Sequence, residues 1–98
     1  MAKAYWVVCY REISDQDKLA AYGKLAVPAV VAGGGRVLAR GTAAYAFEHG
    51  IKERTVVIEF PDLATALATH DGAAYQQALA ALEGGAIREL RIIEGVPS

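Results

Sequence analysis

The spacing of apolar and polar residues changes several times along this chain, and each change marks an element. Residues 4–10 form an apolar run rich in aromatic and β-branched side chains, the composition of a buried strand. Ser14 or Asp15 can cap a helix after it. Over residues 17–32 the period turns helical, with Leu19, Tyr22, Ala26, Ala29 and Val30 on one apolar stripe. Pro28 falls inside that stripe, so a kink near Leu25, or a division into two shorter helices, is expected. Gly33, Gly34 and Gly35 end the element. Consecutive glycines suggest a phosphate loop only when they lead into a helix N-terminus, and these lead out of a helix.

Residues 36–40 read as the second strand. Gly41 and Thr42 mark a bulge or bend before residues 43–48, and residues 49–52 are the expected hairpin loop. Residues 53–60 make the third strand, rich in β-branched side chains; Pro61 stops it and Asp62 can cap a helix starting at Leu63. Leu63, Ala66, Leu67 and His70 line one face of that helix. Asp71 and Gly72 interrupt it, Tyr75, Ala78, Leu79 and Leu82 continue it, and Gly84 and Gly85 end it. Residues 90–94 form the last strand, ahead of a short tail.

The order is therefore β-α-β-β-α-β. Two β-α-β halves with right-handed crossovers give an α+β fold: a four-stranded antiparallel sheet in the order 4-1-3-2, with helices on one face. The central position of the third strand accounts for its apolarity. The uncovered sheet face needs a partner, and a second copy of the chain would supply it, closing two sheets into a barrel-like homodimer.

Composition narrows the function classes. At 98 residues the chain reads as one domain, residues 1–98. A chain this small hides only roughly 60–68% of its unfolded surface, which again favours a dimer. A 54% hydrophobic fraction excludes disorder, and a net charge of −1 without charge blocks gives no electrostatic case for nucleic acid or an anionic membrane. The single cysteine, Cys9, rules out an internal disulfide and suits a reducing compartment. There is no signal-like apolar segment near the start and no apolar run of the roughly 18 residues that a membrane span needs, so a cytoplasmic protein is expected.

Several segments together resemble a known family. They are residues 5–11, the run from Gly34 to Gly41 with Arg36 and Arg40 inside it, residues 54–60, His70 with Asp71, Tyr75 with Gln76, and residues 93–95. In these the chain is similar to the DUF1330 family over nearly its whole length. The resemblance implies a ferredoxin-like, dimeric α+β barrel of unknown function. The family often carries Ser-Pro between the Asp and Tyr of the second-helix break, where this chain has Gly72 and Ala73. A capping residue and a helix-starting proline are lost there, which implies a looser break.

The candidate chemistry lies in a few polar side chains. A hairpin turning over residues 49–52 sets Glu48 opposite Glu53 and Thr42 opposite Glu59, which puts Arg40 and Glu59 on the uncovered face together unless a bulge at Gly41 shifts Arg40. Such a pair could bind or polarise a small substrate, or equally be an ion pair or a dimer contact. His70, followed by Asp71, has the types of an acid–base pair, although neighbours on an unbroken helix diverge by about 100°. His49 sits in the expected hairpin loop, where sites concentrate. Tyr5, Trp6, Tyr10 and Tyr75 are candidates for a ligand-lining aromatic set or for plain core packing. No nucleophile elbow, P-loop or dinucleotide fingerprint is present, and no histidine has a second ligand at metal-binding spacing, so neither cofactor nor metal is expected.

Two functions remain on these residues. In one the chain is a cofactor-independent enzyme for a small organic molecule, with Arg40 orienting an anionic group and Glu59 or His70 moving a proton. In the other it is a non-catalytic small-ligand-binding or structural homodimer.

Overall fold

The computed structural model describes residues 2–97. Its elements run β1 (Ala4–Ile13), α1 (Gln16–Ala32), β2 (Arg36–Thr42), β3 (Arg54–Phe60), α2 (Leu63–Asp71), α3 (Ala73–Leu82) and β4 (Ala86–Glu94). The sheet is antiparallel throughout, in the order β2-β3-β1-β4, as the right-handed crossover argument requires. It does not close into a barrel within one chain: β2 and β4 remain its edges.

Local signals fix most helix ends. Asp15 caps α1 by accepting from the backbone N–H groups of Asp17 and Lys18, at 3.0 and 3.1 Å. Asp62 does the same for α2 through the Thr65 backbone N–H, at 2.7 Å, and the Thr65 side chain, then this backbone bond, hold its carboxyl below the usual carboxylate range. The expected division of α1 at Pro28 does not occur, and one helix runs through it. Proline removes one N–H donor, while Ala26, Ala29 and Val30 around it are buried on the sheet and keep the last turns in place. The interruption after His70 is real, and it makes two helices instead of one. Gly72, extended at φ −70° and ψ 153°, ends α2 and begins α3 without a side-chain cap. Gln76 compensates in part, donating its side-chain amide to the His70 carbonyl at 2.8 Å.

The hairpin between β2 and β3 departs most from expectation. Residues 43–48 are not strand, and the loop covers residues 43–53. Arg36 lies opposite Glu59, Val37 opposite Ile58, and, after a bulge at Leu38, Arg40 opposite Val56 and Thr42 opposite Arg54. The register is pinned from the other end of β2. Gly35 packs so closely that a Cβ there would stand 2.6 Å from Val30 and 2.8 Å from Phe60. The glycine turn thus delivers β2 against the last residue of β3, and the slack collects in the loop. Arg40 consequently faces the helices with Val56, and Glu59 faces away from them. The shared face expected for this pair is not formed.

The core lies between the sheet and the helices, with Trp6, Phe60, Tyr75 and Val30 as its largest fully buried side chains. Trp6 packs against Phe60 and Tyr75 at centroid distances of 5.1 and 4.8 Å, and its indole N–H donates to the Ala66 carbonyl of α2 at 3.1 Å. That bond ties β1 to α2 in the helix layer. The opposite sheet face carries Tyr5, Val7 and Cys9 from β1 and Thr55, Val57 and Glu59 from β3, in register and without helix cover.

Candidate functional site

Strand periodicity builds the site. On β3 the helix-facing phase holds Phe60, Ile58, Val56 and then Arg54; on β4 it holds Ile92, Leu90 and then Arg88, which pairs with Tyr10 of β1. The apolar rows thus end, at one end of the sheet, in a row of arginines and tyrosine beneath the first half of α1. Between α1 and this surface lies a cavity of about 90 Å³, lined at its polar end by Arg40, Arg54, Arg88, Tyr10 and Tyr22. Its remaining walls are apolar, from Val8, Val56 and Ile58 of the central strands, Val37 of β2, and Leu19, Ala26 and Val30 of α1. A volume of that size, in a measure where one water takes roughly 10–15 Å³, accommodates several waters or a compact organic molecule.

Arg88 is fully engaged. Its guanidinium donates to the hydroxyls of Tyr22 at 3.2 Å and Tyr75 at 2.9 Å, and these two hydroxyls are 2.7 Å apart. It also lies over the rings of Tyr22 and Tyr10, at 4.8 and 5.6 Å from their centroids. Burial works against its charge, but the phenol oxygens outweigh that and keep it cationic. Burial likewise pushes the Tyr22 phenol far above its ordinary 10.0; Tyr75 adds to the shift and Arg88 offsets only part of it. Tyr10 is raised too, by burial first and against the pull of Arg88. Near neutral pH these phenols are therefore hydrogen-bond donors and not bases.

Arg40 and Arg54 are differently placed. Neither joins an ion pair among the described residues. Arg54 stands beside Tyr10, its guanidinium carbon 6.0 Å from the ring centroid, and its Nε is buried with no partner. Three guanidinium groups line one small cavity, and no carboxylate of the described residues lines it.

The other candidate residues are spread over the molecule. Glu59 lies on the uncovered face, held by Lys3 Nζ at 3.3 Å, Arg36 Nη2 at 3.8 Å and the Tyr5 hydroxyl at 3.3 Å. His49 lines a groove beneath the 43–53 loop, on the same side as Cys9 and Thr55. His70 does pair with Asp71, Nδ1 to Oδ1 at 2.9 Å, because the helix breaks immediately afterwards; its ring packs edge-on to Trp6 at 6.0 Å. Trp6 is a core residue, and Tyr75 stands behind the cavity wall, reaching it through Tyr22 and Arg88. Arg40 and Tyr10 alone, among the residues singled out from sequence, line the arginine cavity. Tyr22, Arg54 and Arg88 were not singled out as site residues. Their signal was the phase: each arginine keeps step with the buried side of its strand, where a charge needs a reason. Among the described residues no group of three or more His, Cys, Asp and Glu side chains could hold a metal ion, and no helix is long and apolar enough to cross a membrane.

Comparisons place this geometry in context. A protein of unknown function from Rhodopseudomonas palustris superposes with a TM-score of 0.75 at 14% identity, over 99% of this chain and 85% of the other. A dimeric ferredoxin-like protein of unknown function from Thermobifida fusca gives 0.64 at 18%, over 95% and 91%. SnoaB, a cofactor-independent oxygenase from Streptomyces nogalater, gives 0.67 at 9%, over 100% and 97%. At these identities the likeness is one of ferredoxin-like fold. No curated protein matches the sequence. The family model does match, from residue 3 to residue 96, and the chain belongs to DUF1330, a domain of unknown function.

Proposed function

We propose that this protein is a homodimer that binds a compact organic anion in the cavity between α1 and the sheet. The observation that carries the reading is the set Arg40, Arg54 and Arg88 around an apolar-walled cavity with no carboxylate of the described residues in its lining. Arg54 and Arg88 are half-buried and Arg40 is exposed; gathered at one cavity without a counter-ion they repel one another, and a bound anion relieves that. Arg54 and Arg40 supply free donors for that anion, while Arg88 and its two phenols form the rigid wall beside it. The dimer would form through the uncovered face, where Ile87 and Ile93 are 58% and 59% exposed and both signs of charge occur. The dimeric ferredoxin-like neighbour supports that assembly. In this reading Glu59 belongs to the dimer face.

A catalytic reading has one observation of its own. Arg88 and Tyr22 are donors at the cavity wall that could hold negative charge developing on a substrate oxygen, and a fold neighbour is a cofactor-independent oxygenase. No base lines the cavity, since Glu59 is on the opposite face and His70 lies at the helix break. Binding is therefore the better supported function.

The test is a thermal-shift series with small carboxylates. A ligand present at a hundred times its Kd stabilises by about 2.7 kcal/mol. The wild-type protein should show such a shift, and Arg54→Ala should lose it while still folding. Absence of any shift, or shifts in Arg54→Ala and Arg40→Ala equal to that of the wild type, would sink the proposal.

A further inference from the structure

Gly23 stands in the middle of α1 without a structural reason to be glycine. Its φ is not positive, and a Cβ there would meet no atom within 4 Å. At Gly35 and Gly85, by contrast, a Cβ would run into Val30 and Phe60 or into Lys18. A helix-interior glycine is destabilising relative to alanine, so the fold alone would be better served by alanine here. Gly23 lines the arginine cavity, with Ala26 one turn on.

We propose that Gly23 keeps a slot open for the body of the ligand, and that the ligand is a flat, apolar monocarboxylate of the aryl type. This rests on the anion-binding reading above. The carboxylate goes to Arg54, whose buried Nε lacks a partner, and to Arg40. The body then lies between the bare backbone at Gly23 and the sheet at Val56 and Val8. Removing one side chain from a packed helix–sheet layer opens a gap about one ring thick, which suits a planar group better than a branched one. Val30, Val37 and Ile58 close the far end without a polar group, so a second charge there would be desolvated with no partner. That argues against dicarboxylates, and inorganic phosphate would leave the apolar walls unused.

Calorimetric titration of the full chain with benzoate, acetate, succinate and inorganic phosphate tests this. Benzoate should bind at least tenfold more tightly than the other three. Gly23→Ala should raise the melting temperature of the unliganded protein and weaken benzoate binding at least tenfold. A merely structural glycine would give the first effect without the second. If acetate, succinate or phosphate matches benzoate, or Gly23→Ala binds benzoate as the wild type does, the slot is wrong and the anion site stands. If none of the four anions binds, the anion site falls too.

Discussion

Tyr10 and Tyr22 are the residues whose proton chemistry the fold shifts upward. Both hold their protons above the ordinary 10.0 when folded and release them near that value when unfolded. Their contribution to stability is therefore complete below about pH 10 and is lost as pH rises through the folded-state values. A tyrosinate absorbance titration should show Tyr10 and Tyr22 ionising above the ordinary value, together with loss of structure. In Tyr22→Phe one late phenol should vanish, and stability should drop by about 1–3 kcal/mol because Arg88 and Tyr75 lose a buried partner. Ionisation of Tyr10 and Tyr22 at the ordinary value in the folded protein would refute the account. At this scale the sequence was legible in part. Arg40 and Tyr10 stood out, whereas Arg54 and Arg88 were hidden in strands that look merely apolar until the phase of each is followed.

Among the elements, β2 teaches most. Counting back from a short hairpin turn set Arg40 beside Glu59, because turn length ordinarily dictates register. Here the glycines after α1 dictate it, and the loop at residues 43–53 absorbs the remainder. Two substitutions separate these causes. Gly35→Ala forces a Cβ into Val30 and Phe60 and should cost about 1–3 kcal/mol in a denaturant titration. Two residues inserted in the 43–53 loop should cost under about 1 kcal/mol, because closure entropy grows slowly with length. A larger loss from the insertion than from Gly35→Ala would return control of the register to the hairpin. Helix starts were readable because a cap is a local event, as Asp15 and Asp62 show. Register is a negotiation between distant segments, and no single residue announces it.

For the whole molecule, element order was enough to derive the strand order, and with it the uncovered face. In the dimer reading, Val57 lies at the middle of that face, paired with Val7. Val57→Asp should convert a dimer into a folded monomer, visible by sedimentation equilibrium at micromolar concentration. A wild-type protein that sediments as a monomer would end the dimer proposal. The cavity lies on the other side of the sheet, so the monomeric variant should keep its anion binding. The cavity could not be read at this scale, because it depends on what α1 leaves unfilled as well as on what the strands supply.

Trp6, the chain's only tryptophan, sits where the sheet, α2 and α3 meet. The protein therefore carries one indole emitter in a dry, aromatic setting, within energy-transfer range of Tyr75 and Tyr22. Tyr5, its neighbour in the chain, can feed that emitter in any state, whereas Tyr75 and Tyr22 are held within range by the docking of the helix layer on the sheet. The cavity does not include Trp6, so a ligand can enter without recolouring its emission. Fluorescence thus watches the scaffold and leaves the pocket unreported, a natural division of signals for separating lost folding from lost binding.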